Sequence, residues 1–120
     1  MGSAYSLMDE TAGRELIGGS GRGIMELMWF MDHPSVPGDP VRIFVEWEHQ
    51  GVDCFVPDPV RFSASAVVKD ADTIIDALSG IEDDRRFGAF LASEWIEIFK
   101  DVKSWALDHA THAFRSQYYE

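Results

Sequence analysis

The sequence predicts an α+β fold in which an antiparallel sheet of three or four strands is covered on one face by two helices. Two observations support this prediction. Apolar residues recur every three or four positions between Leu91 and Ala113, which is the period of an amphipathic helix. Apolar and polar residues alternate in the middle of the chain, which is the period of strands with one buried side. At 120 residues, the chain is expected to form a single domain, residues 1–120.

The first predicted element is a short helix over residues 6–18, with Ser6 as its N-cap and Gly18 at its end. The glycines up to Gly23 then predict a flexible joint. A phosphate-binding loop is disfavoured because such a loop follows a strand and precedes a helix. Residues 24–31 are almost wholly apolar, and periodicity alone leaves both a strand and a short buried helix open. The glycines before this run and the proline after it favour a strand.

A β-hairpin is predicted next, over residues 41–48 and 52–57, with a two-residue turn between its strands. In this register Trp47 faces Cys54, so the apolar sides of both strands coincide. Alternation continues over residues 60–68 and predicts a further strand.

Two helices are predicted after the strands. Asp70 is the expected N-cap of a compact helix over residues 71–79, and Gly80 is expected to end it. The long C-terminal helix is predicted over residues 93–115, with its apolar side against the sheet.

The chain is strongly acidic, since ten Lys and Arg residues face 21 Asp and Glu residues and the net charge is −11. Such a charge repels nucleic acid and anionic membranes and attracts basic proteins or metal cations, although it also promotes solubility. The basic residues are interspersed with acids, so the sequence has no stripe that would neutralise phosphates. We therefore expect no direct binding to nucleic acid or to a membrane.

Cysteine usage and the N-terminus favour a cytoplasmic protein. The single cysteine, Cys54, excludes an internal disulfide and a cysteine-based zinc cluster, which fits a reducing compartment. The N-terminal residues lack the basic and apolar segments of a secretory signal. No apolar run approaches the roughly 20 residues of a membrane span.

The hairpin register also predicts an acidic patch, because it places Glu48 opposite Asp53 with Glu46 on the same side. Like charges opposed across two strands cost up to about 1 kcal/mol. Acids that remain there would suit a surface for a basic partner, while the alternative is a plain solvated face. Asp83 and Asp84 are the next candidates for this contact surface.

His109 and His112 are candidate metal ligands, because histidines three apart share one helical face. The sequence fixes no third ligand, and a histidine on an apolar stripe more commonly bonds a buried carbonyl. We therefore assign no metal and no cofactor. Cys54 lies on the core-facing side of its strand, and Ser63 and Ser65 lack the strained turn of a serine nucleophile, so no catalytic set is assigned.

Three functions fit this pattern, in decreasing order of support. The first is a small acidic binding protein of the inhibitor, immunity or anti-CRISPR type, acting on a basic protein that can itself bind nucleic acid. The second is a structural or assembly protein that forms a homo-oligomer, such as a homodimer, through surplus aromatic residues. These are Trp29, Trp47, Trp95 and Trp105. The third is a metal-dependent enzyme.

Overall fold

The computed structural model of this chain describes residues 4–31 and 59–119. Within these ranges the elements, in chain order, are β1 (Ala4–Asp9), β2 (Arg14–Ser20), α1 (Gly21–Met31), β3 (Val60–Ser63), α2 (Ala64–Ser79), β4 (Arg86–Phe87), β5 (Phe90–Leu91), α3 (Ala92–Asp108) and β6 (Ala113–Tyr119). The predicted hairpin over residues 41–48 and 52–57 lies outside the described ranges.

Four of the described strands form one antiparallel sheet in the order β2-β1-β6-β3. The strands β4 and β5 form a separate two-stranded ribbon. Helices pack against the sheet, and α2 and α3 also pack along each other. The predicted α+β class, with an antiparallel sheet and a long helix near the C-terminus, is confirmed. No helix in the described part of the chain is long and apolar enough to cross a membrane.

The buried face of the sheet is built from residues aligned across neighbouring strands. Ile17, Leu7, Ser116 and Val60 form one such row across β2, β1, β6 and β3. Leu7 and Ser116 are completely buried, and Phe99 of α3 belongs to the same apolar cluster as Leu7. The core therefore lies between the sheet and the helices.

The opposite face of the sheet carries paired charges. Arg61 and Arg115 are aligned on neighbouring strands, and the Glu10 carboxylate lies 3.2 Å from Arg61 Nε and 3.3 Å from Arg115 Nη1. On the strands that the structure describes, this outer face is thus a mixture of charges rather than a uniformly acidic surface.

The prediction of an opening helix over residues 6–18 is wrong, because β1 and β2 form a hairpin. Leu7 and Ile17 are paired, and both are buried. Gly13 occupies the turn with a φ of 66°, a left-handed conformation that glycine adopts without strain. Pairing across the sheet outweighs the local capping pattern that favoured a helix.

The prediction of a strand over residues 24–31 is also wrong, because these residues belong to α1. Ile24, Leu27 and Met28 are buried at helical spacing. Gly23 lets α1 approach its neighbours closely, since a Cβ at this position would lie 2.9 Å from Trp95 Cζ2 and 3.1 Å from the Phe87 carbonyl oxygen. The apolar run therefore belongs to a helix that buries one face, while Trp29 is exposed.

The strand predicted over residues 60–68 ends at Ser63, and α2 begins before the predicted helix over residues 71–79. Ser63 is the N-cap, with its Oγ accepting a hydrogen bond from the Ala66 N–H at 3.2 Å. Asp70, the predicted cap, is instead buried within α2. The alternation over residues 60–68 therefore came from two different elements.

The apolar stripe of α3 is confirmed, since Trp95, Phe99, Val102 and Ala106 are all buried. The helix ends at Asp108, however, and the predicted range of 93–115 is too long. Residues 113–119 instead pair with both β1 and β3 as a central strand. A period of three or four does not distinguish the last turn of a helix from a tight turn followed by a strand.

Candidate functional site

The structure describes two of the five predicted partner-binding residues. Asp83 and Asp84 are exposed in the loop between α2 and β4. Glu46, Glu48 and Asp53 lie outside the described ranges. That these two groups of acids belong to one contact surface therefore remains a prediction.

The loop that carries Asp83 and Asp84 is joined to the start of α3 through its backbone. The Ala92 N–H donates to the Arg85 carbonyl at 2.7 Å, and the Ser93 N–H donates to the Asp83 carbonyl at 3.3 Å. Because carbonyl groups accept these bonds, the Asp83 and Asp84 side chains are not used to cap the helix. Neither side chain has an ion-pair or hydrogen-bond partner among the residues that the structure describes.

An apolar cleft with carboxylates on its rim lies beside this loop. It has a volume of about 460 Å³ and is lined by Phe90, Ser93, Glu94, Glu97 and Ile98. Phe90 is 39% exposed, and its ring packs edge-on against Trp95 with the centroids 5.3 Å apart. We call this cleft, together with Asp83 and Asp84, the acidic end.

A second polar cluster lies at the other end of α3, around Asp9 at the end of β1. Asp9 is completely buried. Among the described residues, it accepts hydrogen bonds from the Ala12 N–H at 3.0 Å and from Trp105 Nε1 at 2.9 Å, and His112 Nδ1 lies 2.6 Å away. The hairpin turn, α3 and the start of β6 thus meet at one carboxylate. We call Asp9, Trp105, His109 and His112 the Asp9 cluster.

The pKa of Asp9 reflects opposing effects. Burial alone raises the pKa of the carboxyl group, because it disfavours the charged form. The hydrogen bonds from Ala12, His112 and Trp105, together with attraction to the charge that His112 carries when protonated, outweigh burial. The pKa of Asp9 therefore lies below its ordinary value, and the side chain is a carboxylate at neutral pH.

Aromatic and cationic groups stack in layers on Trp105. Arg14 Cζ lies 4.2 Å from the centre of the Trp105 ring, and the His109 ring lies 3.8 Å from the same ring at an angle of 18°. The rings of His109 and His112 are 4.8 Å apart. The two histidines that the sequence singled out are therefore brought together.

A buried phenol supplies a further polar group in the core. Tyr5 is buried on β1, and burial raises its pKa strongly, with the negative charge of Asp70 on α2 adding to the effect. Tyr5 therefore remains a neutral phenol across the physiological range.

Metal binding and nucleophilic catalysis are alternative roles for these clusters. In residues 4–31 and 59–119, no group of three or more His, Cys, Asp or Glu side chains is arranged to hold a metal ion. Ser63 and Ser65 hydrogen-bond each other at 3.1 Å beside the start of α2. Ser63 also caps that helix, which is a structural role.

Asp9 is the central residue that sequence reasoning missed. It falls near the start of the predicted opening helix over residues 6–18, where an acid is unremarkable. The available signal was an aspartate three residues before Ala12 and four before Gly13, a pattern in which the side chain bonds the backbone of a turn.

Comparisons with protein-family models, with curated proteins and with solved structures find no match to this chain.

Proposed function

We propose that this chain is a small acidic binding protein that docks onto a basic protein partner. The observation that carries the proposal is the acidic end, where an exposed Phe90 ring and the half-buried Ile98 line the same cleft as Glu94 and Glu97. Apolar contact with flanking carboxylates suits a partner surface that combines Lys or Arg side chains with an apolar anchor.

The carboxylates at this end can make new contacts without losing buried ones, since the bond that Glu94 accepts from the Leu91 N–H at 3.0 Å is exposed. Asp83 and Asp84 are exposed, and the helix end beside them is already capped by backbone carbonyls. Glu97 is paired with Lys100 at 3.4 Å, but both side chains are largely exposed, so this ion pair is weak and easily exchanged. A basic partner would gain these contacts without breaking a buried interaction.

The whole-chain charge of −11 supports the same function through long-range attraction. Such a field raises the rate at which a basic partner is encountered, and it weakens as salt increases. A partner that binds nucleic acid would meet this condition, since its own binding groove is basic. The protein would then act as an inhibitor by occupying that groove.

The test is a quantitative pull-down from native lysate, followed by titration of the captured protein at low and high salt. The contact variants are Asp83→Lys/Asp84→Lys and the triple variant Glu46→Lys/Glu48→Lys/Asp53→Lys. Asp76→Lys/Asp108→Lys is a matched control, because these exposed acids lie outside the acidic end. We expect a basic partner that the control retains and that a contact variant binds at least tenfold more weakly. Equal affinity and equal salt dependence for all variants would reject the proposal.

A homo-oligomer is a second candidate, and one observation favours it. Trp29 on α1 is 61% exposed, which is unusual for a side chain of this size. By contrast, Trp95 lies in the core and Trp105 lies in the Asp9 cluster, while Trp47 is outside the described residues. Light scattering across a concentration series, with Trp29→Ser for comparison, tests this candidate, and a monomer at every concentration would remove it.

A further inference from the structure

The two histidines after α3 are held in the same way, with Nδ1 facing an oxygen atom of the protein. His109 Nδ1 lies 2.8 Å from the Trp105 carbonyl oxygen. A carbonyl can only accept a hydrogen bond, so His109 Nδ1 carries the hydrogen. His112 Nδ1 lies 2.6 Å from a carboxylate oxygen of Asp9, which also accepts the Trp105 indole N–H. In each neutral ring, the lone pair therefore resides on Nε2.

Both Nε2 atoms are available for a ligand. No described residue forms a hydrogen bond with either of them. The His112 side chain is 25% exposed, and His109 is partly exposed. The His112 N–H donates to the His109 carbonyl at 3.0 Å, so a backbone turn holds the two rings together.

From this geometry we propose that His109 and His112 form a binding site for one divalent transition-metal ion, with the two Nε2 atoms as ligands. Two nitrogen ligands at about 2.0–2.1 Å from one ion lie at most about 4.2 Å from each other. The ring centroids are 4.8 Å apart, a spacing that is compatible with two ring nitrogens on one ion. Metal-binding histidines usually donate their other ring N–H to a carboxylate or a backbone carbonyl, and Asp9 and Trp105 provide one of each.

The ligand set defines the class of metal. Imidazole nitrogen suits Zn²⁺, Ni²⁺ and Cu²⁺, whereas Mg²⁺ and Ca²⁺ prefer oxygen ligands. With two protein ligands, the remaining positions are filled by water. The site is separate from the proposed docking surface, because Ile98 in the cleft and His109 lie 11 positions apart along α3 and its end, a rise of about 16 Å.

The experiment is calorimetric titration of the full chain with Zn²⁺ and Ni²⁺, with Mg²⁺ as the comparison ion. We expect one Zn²⁺ or Ni²⁺ per chain and no binding of Mg²⁺. His109→Gln and His112→Gln should each weaken binding at least tenfold. Asp9→Asn should weaken it by about 10- to 100-fold, as for other residues that orient a metal-bound histidine.

His33→Gln/His49→Gln is the matched control, because the chain has four histidines and this variant retains His109 and His112 alone. It should keep wild-type affinity, and its imidazole NMR signals should both shift when metal is added. Because this variant leaves Asp9, His109 and His112 unchanged, the NMR result does not depend on whether proteins substituted at those residues fold. The proposal is overturned if the control variant fails to bind metal, if its imidazole signals do not change, or if folded His109→Gln and His112→Gln proteins bind as tightly as wild type.

Discussion

The two ends of α3 hold carboxylates in opposite ways. At the N-terminal end, Asp83 and Asp84 are exposed, and neither is paired with a described residue. At the C-terminal end, Asp9 is completely buried and receives hydrogen bonds from the hairpin turn and from Trp105, with His112 at 2.6 Å. One end leaves its charges exposed to solvent, whereas the other uses a charge to join three elements.

This difference shows that net charge alone does not describe what an acid does. The charge of −11 counts Asp9 and Asp83 equally, but Asp9 is buried and hydrogen-bonded, whereas Asp83 is exposed. The two acids differ in their hydrogen-bond donors, because a buried carboxylate is stable only when hydrogen bonds compensate for lost hydration. The comparison is tested most directly by removing charges at each end.

The largest effect is expected for Asp9→Ala, which leaves the Trp105 indole N–H and the Ala12 N–H without their acceptor. A donor left without its partner inside a protein costs about 1–3 kcal/mol in the free energy of unfolding, and two donors are affected here. Urea denaturation at neutral pH measures this loss. Asp9→Asn should be milder, because its amide oxygen still accepts a hydrogen bond.

Asp83→Ala is the control for this substitution, since it removes the same side chain from an exposed position. We expect no measurable change in its urea midpoint. If Asp83→Ala is as destabilising as Asp9→Ala, the acidic end also stabilises the fold, and the contrast between the two ends is lost.

Lowering the pH should reveal the same contrast in the wild-type protein. The pKa of Asp9 lies below the value of about 3.9 for an unfolded chain, so its stabilisation is fully present above that pH and is lost as the pH falls toward the folded pKa. The slope from one such group is at most about 1.4 kcal/mol per pH unit. Urea midpoints between pH 5 and pH 2.5 should fall more steeply for wild type than for Asp9→Asn. Equal slopes would contradict the lowered pKa.

The fold class could be predicted from the sequence because it depends on the periodic spacing of apolar residues along helices and strands. The stripe containing Trp95, Phe99 and Val102 identified α3, and Gly80 was correctly placed at the end of α2. Residues 24–31 and 6–18 could not be assigned correctly, because a uniformly apolar run has no period and a hairpin with a glycine turn resembles a capped helix. Contacts with the rest of the fold determine the structure of both segments.

The candidate sites were less accessible from sequence, because they depend on contacts between distant residues. His112 and Asp9 are 103 positions apart, and Trp105 and Asp9 are 96 positions apart. The spacing of His109 and His112 indicated a shared face, but the oxygen atoms that orient their rings come from Asp9 and from the backbone of Trp105. Sequence spacing identifies neighbours on one element and leaves partners from other elements unknown.

The smallest effect is expected for Glu10→Gln, an intermediate case that follows Asp9 directly but bridges Arg61 and Arg115 on the outer face of the sheet. The Glu10 side chain is 25% exposed, so solvent already screens these ion pairs. We expect a loss of less than about 1 kcal/mol in the free energy of unfolding, decreasing further in high salt. Glu97→Gln is the matched control, since its side chain is 71% exposed and its partner Lys100 is also exposed, and it should not change stability measurably. If the contribution of each acid to stability follows its burial, the loss in free energy of unfolding decreases in the order Asp9, Glu10, Glu97. A larger loss for Glu10→Gln than for Asp9→Asn would contradict this order. Ion pairs on the outer face, rather than hydrogen bonds to a buried carboxylate, would then join this part of the fold.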